Sequence, residues 1–376
     1  MYSEMNFLKN VFNTIEKILI RKETNVLKVL IYSDLHCSYN SSILPLFKDS
    51  KSKYTTRLDM ILKTGEWISQ IAKEKKVDMI INGGDTFDNI IVKTEELECV
   101  SEFFKNFQDL KIPHYITVGN HEKVNDDFNA VEILSNYPEI KIIKEPTKIN
   151  DKISILPYMD SKKVTNTLLK TISNDILVSH VDIQGSCLRD SYILDFGVNP
   201  ELLASHFKFV ANGHLHTAEH LETTQNEVWN IGGVSSISFV DNQEYLPSLV
   251  VLDTDTLTFE RIANPHSILF RRFTVDSLKD LAKILKDLDK NYKYALTVKY
   301  TNYDIKADVQ ETLEKNKKII AFKLINAFVN KTKLNQDTSS LAANLDVTSK
   351  FIDFLNENTE NLKYDAKEYL SIVKED

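Results

Sequence analysis

Short apolar runs recur along the chain from Leu27 onward, each closed by glycine or a polar residue. They occupy residues 29–32, 77–81, 114–118, 153–156, 176–178, 207–211, 228–231 and 249–252. Runs this short, bounded by turn residues, predict buried strands. Between several of them the apolar positions switch to helical spacing. Leu58, Ile61, Leu62, Ile68, Ile71 and Ala72 predict one helix, and Leu97, Val100, Phe103, Phe104 and Phe107 predict another. This alternation implies an α/β layered core over the first half. From about Asp175 the chain becomes richer in strands and poorer in helices.

The flanks follow other rhythms. Residues 1–25 place Leu8, Phe12, Ile15 and Leu19 at helical spacing and read as a helical extension, packed on the domain edge or facing a partner. A boundary is expected near residues 264–266. After it, residues 268–275 (strand), 277–289 (helix) and 294–300 (strand) form a small β-α-β unit. Residues 307–333 read as one amphipathic helix, with Ile319, Ile320, Phe322, Leu324, Ile325, Phe328 and Val329 as its apolar surface. Residues 338–376 hold two shorter helical patterns. The expected division is 1–25, 26–264, 265–305 and 306–376. An amphipathic tail after a complete domain packs on its own chain or docks on a partner.

At 376 residues the chain can hold one large domain and small appendages. Its 42% hydrophobic and 27% charged residues are ordinary for a soluble protein. No apolar run approaches the roughly 20 residues of a membrane span. Glu4, Lys9, Glu16 and Lys17 interrupt the N-terminal apolar stretch, unlike a secretory signal. Three scattered cysteines, Cys37, Cys99 and Cys187, make no disulfide framework, so a reducing cytoplasmic compartment is expected. The net charge of −8 disfavours a non-specific nucleic-acid binder, although bound metal would neutralise several acids and a local basic face can survive.

The polar residues at the strand ends carry the chemistry. Residues 30–33 run into Asp34-Leu35-His36, and residues 79–84 into Asp85. Residues 116–119 run into Asn120-His121-Glu122, residues 176–179 into His180, and residues 210–213 into His214-Leu215-His216. In open α/β sheets the C-terminal strand edge is where ligands bind. Five of the nine histidines lie in these segments; His114, His206, His220 and His266 do not, and packing or surface roles are the default for His114 and His206. Gly83, Gly84, Gly119 and Gly213 immediately precede the candidate ligands, where glycine permits sharp turns and close approach.

Aspartate, imidazole and an asparagine carbonyl form a mixed O/N donor set without thiolate. That set suits Mn²⁺, Fe or Zn²⁺ better than an all-oxygen calcium site or a cysteine-rich zinc site. Seven candidate ligands exceed the needs of one ion and match two ions sharing a carboxylate. Two ions about 3.5–4 Å apart can activate solvent and clamp a phosphoryl group for in-line displacement.

Asp34-Leu35-His36, Gly84-Asp85-Thr86-Phe87-Asp88, Gly119-Asn120-His121-Glu122, His180 and Gly213-His214-Leu215-His216 together resemble the calcineurin-like metallophosphoesterase superfamily over about residues 27–262. The resemblance implies a pair of β-sheets flanked by helices. It implies that Asp34, His36, Asp85 and His216 hold one metal, that Asp85 bridges, and that Asn120, His180 and His214 hold the second. It also implies that His121 contacts the phosphate and assists the leaving oxygen, with Glu122 orienting His121. Two divalent ions are expected, Mn²⁺ foremost, with Fe, Zn²⁺ or Mg²⁺ as other candidates.

The form of the second and third motifs, and the regions that follow, resemble the DNA double-strand-break repair nucleases: SbcD-type subunits and phage recombination endonuclease subunits. That implies DNA as substrate, exonuclease and endonuclease activity, a capping domain over 265–305, and a tail binding an SMC-like ATPase. It also implies a homodimer formed through residues near 90–107 and 125–136. A phosphatase or small-molecule phosphodiesterase on the same scaffold is the alternative. The serine/threonine phosphatase branch is disfavoured by Asp88-Asn89-Ile90, where that branch places arginine. A non-enzymatic scaffold with a vestigial site is the third reading, disfavoured by the complete ligand set.

Overall fold

Parallel strands covered on both faces need apolar residues at nearly every position rather than alternation, and the runs noted above meet that demand. The computed structural model describes residues 27–39, 44–45, 52–125, 127–189, 192–237 and 245–327. The N-terminal extension and the 338–376 tail lie outside the described residues. The elements below all belong to the unit Met1–Asn326.

In chain order the strands begin with β1 (Lys28–Tyr32), β2 (Met79–Asn82), β3 (His114–Thr117) and β4 (Ile140–Ile143). Next come β5 (Thr147–Lys148), β6 (Ile153–Leu156), β7 (Ile176–Ser179), β8 (Cys187–Arg189), β9 (Tyr192–Ile193) and β10 (Phe209–Asn212). Then follow β11 (Glu219–Leu221), β12 (Glu227–Asn230), β13 (Ser248–Asp253) and β14 (Phe259–Ala263). A third group is β15 (Ile268–Val275), β16 (Lys293–Tyr300) and β17 (Ile319–Asn326).

Two six-stranded mixed sheets form the body, ordered β14-β13-β1-β2-β3-β4 and β11-β12-β10-β7-β6-β5. Strands β1 to β4 run parallel, as do β6, β7, β10 and β12. The sheets pack face to face through a buried layer drawn from both, including Ile31, Ile81, Ile155, Val178, Ala211 and Val250. Burying each large aliphatic side chain in such a layer contributes about 1.5–3 kcal/mol. Helices Thr56–Lys75 and Thr94–Lys105 cover the outer face of the first sheet through Leu58, Ile61, Ile68, Val100 and Phe103. The shorter helices Asn166–Ile172 and Pro200–Ala204 cover the second through Leu169, Ile172 and Leu203. The expected architecture of two sheets flanked by helices is the one observed.

The small C-terminal unit departs from expectation. Residues 307–333 were expected as one helix, but the helix Lys306–Lys315 stops and β17 follows. β17 pairs in parallel with β16 from Tyr294↔Ile319 to Tyr300↔Asn326, so the unit is a three-stranded β15-β16-β17 sheet reaching Asn326 rather than ending at 305. The run Ile319-Ile320-Ala321-Phe322 carries apolar groups on two faces. Ile319, Phe322 and Leu324 pack into the small sheet's own core, and Ile320 and Ala321 pack against the main core. A two-faced apolar run of this length suits a strand covered on both sides.

Candidate metal centre

The C-terminal ends of β1, β2, β3, β7 and β10 open onto one edge and bring their following residues together. Backbone hydrogen bonds register these segments: Asp34 N donates to Gly84 O at 3.0 Å, and His36 N to Asp85 O at 2.9 Å. Asp34, His36, Asp85 and His214 all adopt positive φ, at 56°, 45°, 53° and 72°. Non-glycine residues rarely adopt this left-handed backbone, which costs on the order of 1–3 kcal/mol and clusters at functional sites. Two glycines make the crowding feasible. A Cβ on Gly84 would lie 2.2 Å from His180 Nδ1, and one on Gly119 would lie 2.1 Å from Asp85 Oδ1.

The first cluster is Asp34, His36 and His216. His36 Nε2 lies 3.0 Å from His216 Nε2 and 3.7 Å from Asp34 Oδ1, and His216 Nε2 lies 3.8 Å from the same oxygen. The second cluster is Asp85, His180 and His214. Asn120 joins it, with Oδ1 3.1 Å from His180 Nε2 and 3.0 Å from His214 Nδ1. Asp85 Oδ2 stands 3.6 Å from His36 Nε2 and 3.2 Å from His180 Nε2, so one carboxylate reaches both clusters.

The outer nitrogens are committed elsewhere. His36 Nδ1 bonds Asp88 Oδ1 at 3.1 Å, His180 Nδ1 donates to Gly83 O at 2.7 Å, and His214 Nε2 bonds Asp182 Oδ1 at 2.9 Å. Burial opposes charge on His36, yet the Asp34, Asp88 and Asp85 carboxylates push it up to about 10. His180 rises to about 9 against burial, chiefly through Asp85. Burial raises Asp34 and Asp85, but the surrounding imidazoles outweigh it and hold both carboxyls low.

His121 sits at the rim, its side chain 39% exposed. Its backbone N–H donates to Asp85 Oδ1 at 3.1 Å, and its ring Nδ1 donates to the Asp88 carbonyl at 2.9 Å. Glu122 was expected to orient His121. Its carboxylate instead accepts from the backbone N–H groups of Thr86, of Phe87 at 3.2 Å and of Gly119 at 2.8 Å, all in the second and third motifs. Orientation of the His121 ring falls to the Asp88 carbonyl. Burial and the Asp85 carboxylate push Glu122 up to about 7, while the donors and His180 pull it back.

Two contributors were missed in the sequence. Asp182 follows His180 by two residues, the spacing that also separates Asp34 from His36, and this was the available signal. Arg57 carried none. Its buried guanidinium donates to the carbonyls of Leu35, His36 and Ser236 at 3.1, 3.0 and 2.7 Å, tying the first motif to the 235–236 loop. The four remaining histidines stand apart: His114 in the core, His206 on Asn166, His220 stacked on Trp229, and His266 beyond β14.

Residues 27–218 match the family described as calcineurin-like phosphoesterase. The chain belongs to that family. This phosphoesterase is 26% identical over 158 residues to exonuclease subunit 1 of Enterobacteria phage T4, covering 39% of the present chain and 46% of the relative. It is 28% identical over 179 residues to the DNA double-strand break repair protein Mre11 of Saccharolobus solfataricus, covering 44% and 46%. The alignments thus span about half of each relative's length. The crystal structure of TT1561 of Thermus thermophilus aligns with 12% identity and a TM-score of 0.39, over 63% of this chain and 99% of that one.

Family membership makes the phosphoesterase a metal-dependent hydrolase, and its residues fit a divalent metal. Asp34 is fully buried, and among the described residues neither carboxylate oxygen has a hydrogen-bond partner. An ionised carboxylate withdrawn from water without donors is costly unless a cation compensates it. Among the described residues no helix is long and apolar enough to cross a membrane.

Proposed function

We propose that this phosphoesterase is a Mn²⁺-dependent DNA nuclease, with exonuclease and endonuclease activity, acting as the catalytic subunit of a complex with an SMC-like ATPase. The observation that carries the chemical part is the position of Asp85, whose Oδ2 lies within 3.6 Å of a ligand nitrogen in each cluster. The names of the two curated relatives, one an exonuclease subunit and one a double-strand break repair protein, support DNA as the substrate.

In this reading Asp34, His36, Asp85 and His216 would hold one ion, and Asp85, Asn120, His180 and His214 the other. When bound, such a pair supplies Lewis acidity toward water and phosphoryl oxygens. The protein's own part is positioning. The left-handed turns at Asp34, Asp85 and His214 aim the donors, and Glu122 clasps the two central motifs. His121, half-exposed and held through Nδ1, is the catalytic residue at the rim. With Nδ1–H committed to the Asp88 carbonyl, Nε2 is the ring atom left to serve the departing sugar oxygen. The β15-β16-β17 unit would cap the catalytic domain, and the tail beyond it, which lies outside the described residues, would bind the ATPase. Homodimer formation belongs to the same proposal; over its second expected segment the chain forms the 3₁₀ helix Ala130–Asn136.

The test is hydrolysis of linear duplex DNA against a small phosphodiester, each with Mn²⁺ and after chelation. Chelator-sensitive release of nucleotides from DNA supports the proposal. Turnover of the small diester alone would replace it with a small-molecule phosphodiesterase.

A further inference from the structure

The four candidate histidines do not present the same nitrogen. His36, His180 and His216 turn Nε2 inward, whereas His214 turns Nδ1 toward Asn120. An imidazole offers its lone pair from Nδ1 only if Nε2 carries the proton, and in free histidine the tautomers interconvert readily. An acceptor placed on Nε2 would fix that form.

Asp182 is placed to do so. Its Oδ1 lies 2.9 Å from His214 Nε2, and an ionised carboxylate can only accept there. The backbone beneath is fixed. Val198 N donates to Asp182 O at 2.8 Å, and Gln184 N returns to Val198 O at 3.0 Å. Gly197, at φ 110°, leaves no room for a side chain, since a Cβ would lie 2.7 Å from that same carbonyl oxygen. The Ile183↔Val198 bridge therefore closes the backbone against Asp182 and pins it.

We propose that Asp182 is the positioning residue of the second ion site, fixing His214 as its Nε2–H tautomer so that Nδ1 is ready to ligate. The proposal rests on the two-ion reading above for its consequence, but the tautomer is a property of the protein alone. Asp88 holds His36 Nδ1 in the first cluster, so the two clusters are buttressed by separate carboxylates although they share Asp85.

The test has two readouts on the full chain. In metal-free protein, ¹⁵N shifts of the His214 ring are expected to report the Nε2–H tautomer, and Asp182→Ala to mix or invert it. In Mn²⁺ titrations by calorimetry, Asp182→Ala is expected to leave one site at wild-type affinity and weaken the other about 10–100-fold. Asp182→Asn, which keeps an oxygen acceptor, is expected to restore part of both. The untouched first site reports that the variant has folded. An unchanged tautomer, or two sites of wild-type affinity in Asp182→Ala, overturns the proposal. A correct tautomer in a wild-type protein that takes up no ion would instead sink the two-ion reading and leave the tautomer assignment standing.

Discussion

His36 and His216, from opposite ends of the catalytic region, face each other with their Nε2 atoms 3.0 Å apart. Two imidazole lone pairs at that separation need a proton or a cation between them. Without a cation, the carboxylates around His36 keep it protonated to about 10, and Asp85 does the same for His180 to about 9. Ligation requires both rings to be neutral. Metal uptake between pH 7 and 8 should therefore release about two protons per chain, one from each of these rings. Calorimetry in buffers of different ionisation enthalpy measures the number, and a value near zero would contradict the proposed ligand roles.

His121→Ala should retain both ions and lower kcat on DNA by roughly 10²–10⁴-fold, the usual contribution of a positioned acid. His121 also falls within a third group with His36 and Asp85 that could hold a metal. Metal analysis of the variant separates the roles, since loss of an ion would move His121 into the ligand set.

Gly119→Ala should disrupt the centre from behind. The new Cβ would meet Asp85 at its Oδ1, 2.1 Å away, and at its backbone nitrogen, 2.5 Å away. The backbone atom cannot swing aside, so overpacking of about 1–3 kcal/mol or more is expected. Urea unfolding of the metal-free variant gives the stability change, and its ion stoichiometry should fall below that of the wild type.

Glu122→Gln tests the clasp between the second and third motifs. The amide supplies one acceptor oxygen where the carboxylate supplies two, so at least one of the donors Thr86, Phe87 and Gly119 loses a partner. A buried unsatisfied donor costs about 1–3 kcal/mol. The loss should appear in denaturant midpoints of the metal-free protein, ahead of any effect on His121.

His114 gives a pH signature away from the centre. Its ring lies among Tyr32, Phe104 and Phe107, with Nε2 3.1 Å from the Tyr32 hydroxyl, and burial drives it down to about 3. Between about 6.5 and 3 the unfolded chain binds a proton that the folded one refuses, so stability is whole above that window and falls as pH falls through it. From pH 7 to pH 5 the loss from this group is about 2 kcal/mol. His114→Phe should remove that share of the slope, so the gap between wild type and variant should shift toward the variant by this amount between pH 7 and pH 5.

Much of this centre was readable because each candidate ligand directly follows a buried strand, where the apolar run announces the strand and the polar residue marks its end. Asp182 was harder to see because, beyond its two-residue spacing from His180, its placement depends on the backbone of Val198 closing against it. Glu122 was assigned to its sequence neighbour His121, whereas the turn at Asn120 carries its carboxylate toward Thr86 and Gly119. The stretch Ile319–Asn326 defeated periodicity because a run apolar on both faces satisfies helical and extended templates alike. The edge strands β4 and β14 carry interspersed polar residues and gave no clear apolar run.

The centre draws Asp34, His36, Asp85, Asn120 and His121 from one sheet, and His180, His214 and His216 from the other. The two layers adhere chiefly through a close-packed apolar layer, and the His180 Nδ1 to Gly83 O hydrogen bond crosses between them at the site. Ligation would add further directional fasteners at that one margin. Loading and chelation should thus be felt across the whole sandwich, as altered hydrogen exchange in β6 and β13, strands that contribute no ligand.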